Sequence, residues 1–169
     1  MLQVLDDLEL QAEGLHLADR DATVAELSVS TYAEVDLVSR LHASVGLAVR
    51  LVVQGAGAVD GVVTRAGRDW VLLDHGRTDS IVRTAAVLRV RGASDRAVPE
   101  TARNVTAKLG YGSVLRQVAA EGDAVAATLV DGSSVRGWIR RVGADFLEVA
   151  TDDGAVELVG LDALVLVHR

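Results

Sequence analysis

From position 37 onward the apolar residues fall in short alternating runs separated by glycine- and aspartate-rich breaks, the pattern of brief β-strands joined by tight turns. A strand is predicted over 49–53 and a second over 59–65, with the break Gln54-Gly-Ala-Gly-Ala58 between them as a hairpin turn. The Gly67 turn leads into a third strand over 70–74, and Asp74-His-Gly76 turns the chain into a fourth. A fifth follows over 87–91. Ahead of them, 38–44 reads as a short helix ending near Gly46.

The same order then returns. Gly46-Leu-Ala-Val49 recurs as Gly122-Asp-Ala-Val125, Val59-Asp-Gly61 as Val135-Arg-Gly137, and Arg65-Ala-Gly67-Arg-Asp69-Trp70 as Arg141-Val-Gly143-Ala-Asp145-Phe146. Each pair is 76 positions apart, and 37–91 aligns onto 113–167 without a net gap, Leu88/Leu164 being the last identity. The apolar positions agree as well, as in Val63/Ile139, Leu73/Val149 and Val90/Leu166. The second copy therefore predicts a helix over 114–120 and strands over 125–130, 135–142, 146–150 and 163–168, with Asp152-Asp153-Gly154 turning into the remaining one. The expected fold class is mainly β with helices (α+β). Five short strands after one helix describe a small closed or nearly closed barrel, so two such barrels are expected in the chain.

Residues 1–36 carry an amphipathic stripe (Leu5, Leu8, Ala12, Leu15, then Val24, Leu27, Val35) and read as a helical N-terminal segment. The segment 92–112 holds the one proline, Pro99, and reads as the linker. The organisation is thus 1–36, an acidic helical segment; 37–91, the first barrel; 92–112, the linker; and 113–169, the second barrel.

Charge and composition narrow the function. The net charge of −7 resides in residues 1–45, where nine acids face Arg20 and Arg40; residues 46–169 hold fifteen acids and fifteen bases. That is not the basic face of a nucleic-acid binder. There is no cysteine, which removes disulfides, thiolate metal sites and cysteine nucleophiles together. No apolar run approaches the length of a membrane span, and a cytoplasmic location is expected. Lys108 is the only lysine beside many Arg, Ala, Val and Gly residues, a composition typical of high-GC bacteria.

Several motifs imitate chemistry. Gly55-Ala-Gly57-Ala-Val-Asp-Gly61 resembles a dinucleotide fingerprint, but that chemistry needs a helix N-terminus after the glycines, and a strand is expected there. His16, His42, His75 and His168 show no metal-ligand spacing and read as surface or turn histidines. Asp152-Asp153 lacks the spacing of a calcium loop, and Ser133 and Ser134 lack an elbow and a partnered histidine. Asp69 and Asp145 could be taken for catalytic carboxylates; acceptance of backbone hydrogen bonds within the Gly-x-Asp turn is the expected role. No catalytic residue, metal or cofactor is expected, nor a small-molecule ligand.

The pattern Val135-x-Gly137-x-Ile139-x-x-Val142-Gly143-x-Asp145-Phe146-x-Glu148-Val149, with its counterpart from Val59 to Leu73, resembles the first signature of Sm-like barrels. That resemblance implies a helix followed by a five-stranded barrel over about two-thirds of the chain. RNA-binding members place Asp six residues and Asn ten residues after the signature glycine, whereas this chain has Gly67 and Gly143, then Val71 and Leu147. The family's second signature brings an Arg-Gly or Lys-Gly turn, against Ile81-Val-Arg83-Thr84 and Glu157-Leu-Val-Gly160 here. The resemblance implies the fold without the usual RNA pocket. A major-groove DNA reader is excluded too, since 32–45 lacks paired helices and a basic recognition helix.

One surface remains. In the second strand of the second copy, Arg136, Trp138 and Arg140 alternate with Val135, Gly137 and Ile139, and the first copy has Asp60, Val62 and Thr64 in their place. Such a stripe suits a protein interface, can stack on bases, or can pack internally through Trp138. The expected function is a non-enzymatic binding or assembly module making protein–protein contacts or self-associating, with an RNA-associated protein using this altered surface as the alternative. Unpaired edges at the fourth and fifth strands favour pairing between barrels, within the chain or in an oligomer.

Overall fold

A computed structural model describes residues 32–169; the amphipathic stripe expected over most of 1–36 lies outside the described residues up to position 31. The chain up to Val35 falls in a separate unit from Asp36–Arg169, which holds every element named below. Helix α1 spans Leu37–Ala43 and opens on Asp36, whose carboxylate accepts the Ser39 N–H at 2.6 Å. Strands β1 (Ala48–Val53), β2 (Gly57–Ala66), β3 (Trp70–Asp74), β4 (Asp79–Arg83) and β5 (Val87–Arg91) follow. Two short 3-10 turns (Glu100–Ala102, Thr106–Lys108) lead to α2, Tyr111–Glu121, then β6 (Ala124–Leu129), β7 (Ser134–Val142), β8 (Phe146–Ala150), β9 (Val156–Gly160) and β10 (Leu164–His168). Helix α2 begins three residues ahead of the predicted start because Gly110 supplies an extended N-cap, and it stops at Gly122, whose φ of +76° suits only glycine readily.

All ten strands join one antiparallel sheet in the order β5-β1-β2-β3-β4-β10-β6-β7-β8-β9. The fold is mainly β with two helices among the described residues. Each half repeats one internal order, last strand first and then the other four. The sheet continues from one half to the other where β4 pairs with β10.

Strand pairing corrects the gapless alignment of the copies. Arg50 pairs with Arg91 and its counterpart Ala126 with His168, so the first strands are 76 positions apart but the fifth strands 77. The extra residue lies in the turn between the third and fourth strands. In the first copy that turn closes with the His75 N–H on the Thr78 carbonyl, in the second with Thr151 N–H on Ala155, each at 3.0 Å. Leu164 therefore corresponds to Val87 rather than to Leu88, and Val167 rather than Leu166 to Val90. Everything before the turn keeps the 76-residue spacing, including the bulges at Val63/Arg65 and Ile139/Arg141.

The turn glycines behave alike in both copies. The Gly67 N–H donates to the Trp70 carbonyl and Gly143 to Phe146, each at 2.8 Å, and a Cβ on either glycine would collide with the aromatic ring three residues on. The recurring Gly-x-x-aromatic spacing thus has a steric cause: the ring folds back over its own turn.

Two apolar clusters form the core, and each borrows from the other half. Leu41, Leu51, Val63, Leu73 and Val82 gather with Val165 and Leu166 of β10. Leu115, Val118, Val125, Leu147, Val149 and Val167 gather with Trp70 and Ile81 of the first half. The bulge in β10 between Leu164 and Leu166 lets adjacent residues Val165 and Leu166 serve the same cluster. Burial on both faces accounts for the unbroken Leu164-Val-Leu-Val167 run.

Candidate interaction surface

The joint between halves shows what these strands do when paired. Across it Ser80 faces His168, Ile81 faces Val167 and Val82 faces Leu166. Asp79 and Arg169 exchange two backbone hydrogen bonds of 3.0 Å just beyond, and Arg169 forms ion pairs with Asp79 and with Glu121 at the end of α2. At the other end of β4 the Arg83 guanidinium donates to the Leu161 carbonyl at 3.0 Å and pairs with Asp162 at 2.6 Å. Trp70 adds a further tie: its Nε1–H donates to the Leu109 carbonyl at 2.9 Å, which also accepts the Arg68 N–H.

The joint also brings together two histidines that sequence reading assigned separately to turns and surface. Ser80 Oγ, fully buried, lies 2.5 Å from His75 Nε2 and 2.7 Å from His168 Nδ1, with the rings 6.2 Å apart. With both rings neutral the hydroxyl donates to one and accepts from the other. Burial, and then the nearby His75, hold His168 below the usual histidine range. Nothing in the spacing of His75 and His168 foreshadows this, because they reach one place from opposite halves. With Ser80 buried between the two rings, the trio ties β4 to β10 across the joint.

The outer strands contrast with the joint. Among the described residues no strand pairs with the outer edge of β5 or of β9. Ser80 and Ile81 of β4 are buried, whereas their counterparts in β9, Glu157 and Leu158, are exposed, Leu158 by 70%; the next pair, Val82 and Val159, is buried in both strands. In β10 the first four residues are buried, whereas β5 exposes Leu88, Arg89 and Arg91. The aromatics differ in the same direction: Trp70 is 1% exposed in the cluster that holds the α2 residues, and its counterpart Phe146 is 37% exposed.

The predicted stripe lies on the outer face of β7. Arg136, Trp138 and Arg140 are all exposed, Trp138 by 43%, while Gly137 and Ile139 point inward and are buried. Trp138 stands between Ala124 and Ala150 on the flanking strands, and neither Arg136 nor Arg140 has an ion-pair partner among the described residues. In the first copy Asp60 is paired with Arg50 at 2.6 Å instead, which holds the Asp60 carboxyl below its usual range. Gly137 cannot carry a side chain, since a Cβ there would meet the Ala150 carbonyl oxygen at 2.0 Å.

The remaining motifs resolve as follows. Gly57 runs into β2, so no helix N-terminus follows the glycine-rich turn. Asp153 accepts hydrogen bonds from the Thr151 hydroxyl and the Ala155 N–H within its own turn, and the Ser133 hydroxyl donates to Asp131 at 2.6 Å. Asp69 departs from expectation. Its carboxylate accepts a backbone N–H not within its own turn but from Tyr111, 42 residues away at 2.7 Å, and so caps α2. A cleft near that helix start is lined by Arg68, Arg83, Lys108 and Arg116 with Asp69 and Asp162. Arg83 is engaged there by Asp162, and Arg116 by the Gly143 carbonyl. No group of three His, Asp or Glu side chains that could hold a metal occurs among the described residues, and none of their helices is long and apolar enough to cross a membrane.

No family model matches this chain, and no curated protein matches it.

Proposed function

We propose that this chain is a non-enzymatic binding and assembly module of the cytoplasm, built from two fused Sm-like barrels that make protein–protein contacts through their unpaired strand edges. On this reading each barrel comprises the helix and five strands of one copy, around an aliphatic cluster to which the other copy also contributes. The observation that carries this reading is the contrast between equivalent strands: β4 and β10 bury all their apolar residues at the joint, while β5 exposes Leu88 and β9 exposes Val156 and Leu158. An edge that exposes Leu88 or Leu158 beside unpaired backbone groups favours another strand.

Edge-blocked variants test it. With Leu158→Lys and Leu88→Lys together, the chain should keep its unfolding midpoint within a few degrees and lose the protein contacts that the parent makes. Cross-links from the parent chain should map to 87–91 and 156–160. Contacts that survive the double substitution, or map elsewhere, contradict the reading.

The second reading is an RNA-associated protein using Arg136, Trp138 and Arg140. What favours it is the joint exposure of two cations and an indole on one strand face, a combination suited to stacking on a base beside phosphates. Chain purified without nuclease treatment decides between them. An absorbance ratio of pure protein supports assembly; nucleic acid that leaves with salt, and is lost in Trp138→Ala, supports RNA.

A further inference from the structure

The cleft at the start of α2 is built from both halves and keeps several donors unspent. It measures about 550 Å³, and its walls include Arg68 and Arg83 of the first half, Lys108, Arg116 of α2, and Asp145 and Asp162 of the second half. Two wall carboxylates are already engaged: Asp162 pairs with Arg83 at 2.6 Å, and Asp69 accepts the Tyr111 N–H at 2.7 Å. Arg68 reaches Asp69 only at 4.0 Å, and Arg116 bonds the Gly143 carbonyl at 3.3 Å. Lys108 has no ion-pair partner among the described residues. Four cations thus face three carboxylates, and the balance of the walls is positive.

The first turn of α2, Gly110-Tyr-Gly-Ser113, brings these cations together. A Cβ at Gly110 would meet the Arg68 guanidinium at 2.9 Å, and one at Gly112 would touch that of Arg116 at 3.8 Å, so both guanidiniums lie against the bare glycines of the turn. The Gly112 N–H and the Ser113 hydroxyl have no hydrogen-bond partner among the described residues. An open helix start presents such donors, with its dipole, to an anion. Tyr111 gives an independent sign. It is 3% exposed, it lines the same cleft, and its hydroxyl is buried without a partner. The charges that act on that hydroxyl are those of Arg83 and Asp69, both in the cleft wall. A buried donor left unbonded is costly, and a ligand oxygen at this place relieves the cost.

We propose that this cleft binds a small phosphate monoester, its phosphate held between Lys108 and the Arg68 and Arg116 guanidiniums, with the Gly112 N–H and the Tyr111 hydroxyl as further donors. A phosphate suits the place better than a carboxylate, because its three terminal oxygens accept from donors that converge from several directions. The cleft is larger than a bare phosphate fills, so an organic group accompanies it. Asp145, without an ion-pair partner among the described residues, suits a hydroxyl on that group. The site goes beyond the strand edges and does not depend on them.

Lys108 is the only lysine, so an amine-acetylating reagent reports on it with the N-terminal amine as internal reference. Labelling of the full-length chain is followed by peptide mass spectrometry in glycerol phosphate, in inorganic phosphate, and in sodium chloride of equal ionic strength. At about ten times its dissociation constant, glycerol phosphate should slow acetylation of Lys108 about tenfold and leave the N-terminus unaffected. Inorganic phosphate should do the same at higher concentration. Arg68→Gln and Arg116→Gln should each weaken the protection by about tenfold. Tyr111→Phe should weaken it as well while raising the unfolding midpoint, a combination that a purely structural hydroxyl does not give. Equal slowing in chloride, or none in either phosphate, overturns the proposal, as does protection indifferent to all these substitutions. Protection by an oligonucleotide with a terminal phosphate, but by neither small phosphate, overturns it too and moves the cleft to the RNA reading. Leu88→Lys with Leu158→Lys should leave the protection unchanged, so failure at the edges and failure here are read separately.

Discussion

The Asp69 carboxylate accepts the backbone N–H of Tyr111 at 2.7 Å, so a turn of the first half caps the helix that begins the second. Helix α2 has Gly110 as its N-cap, with no side chain to satisfy its first amides, and the cap is supplied from a distance. The counterpart Asp145 is exposed at the turn before Phe146. Asp69→Ala should therefore lower stability by about 1 kcal/mol, as loss of an N-cap does. Asp145→Ala should change it by less than half as much, by denaturant unfolding.

The two turn aromatics should separate more widely. Trp70 is buried in the cluster around α2, and Trp70→Ala should cost about 3–5 kcal/mol. Phe146 still covers Gly143 but is partly open to solvent, so Phe146→Ala should cost clearly less in the isolated chain. Equal losses at the two sites in dilute urea titrations would show that the second half is not the open copy of the first.

Tyr111 adds a polar cost inside the core. Its hydroxyl is buried with no hydrogen-bond partner among the described residues, and burial pushes the phenol far above its ordinary range. An unsatisfied buried donor costs about 1–3 kcal/mol. Tyr111→Phe should accordingly raise the unfolding free energy, by about 1 kcal/mol, and a loss of similar size would mean the hydroxyl is bonded.

Stability should also fall on the acid side. His168 is held below its ordinary value by burial and then by His75, and His42 by burial and then by Arg103, so below about pH 6.5 the unfolded chain binds more protons than the folded one. Their contribution is complete above that pH and is lost as pH drops through the folded values. At the joint the opposing charges are few: Asp79 is paired with Arg169, and Asp60, near His75, with Arg50. Protonation of His168 puts an N–H donor at Nδ1 against the Ser80 oxygen, so the hydroxyl can no longer donate to that ring. His168→Asn should flatten the decline between pH 6.5 and 5 in thermal unfolding, and an unchanged slope would remove the joint from its cause.

The succession of strands along each copy could be read from the sequence because turns have strict chemistry, although their order in the sheet could not. Gly67 and Gly143 sit under aromatic rings, Gly122 adopts a left-handed conformation, and the apolar residues of β2 and β7 alternate as a half-buried strand requires. The stripe of Arg136, Trp138 and Arg140 was visible for the same reason. The single extra residue in the turn before β9 was not, because the strands on either side of it are aliphatic in both copies and tolerate a one-residue slip in any alignment. The joint did leave a trace. Leu164-Val-Leu-Val167 is unbroken where Val87-Leu-Arg-Val-Arg91 is interrupted by arginines, the difference between a strand enclosed on both faces and one at an edge. The Ser80 bridge and the capping of α2 by Asp69 had no local signal, since both depend on residues brought together from distant parts of the chain.

Hydrogen exchange followed strand by strand weighs the shared-sheet arrangement most directly. The paired strands β4 and β10 should exchange slowly and the outer strands β5 and β9 fast. Exchange in β4 and β10 as rapid as in the outer strands would contradict it.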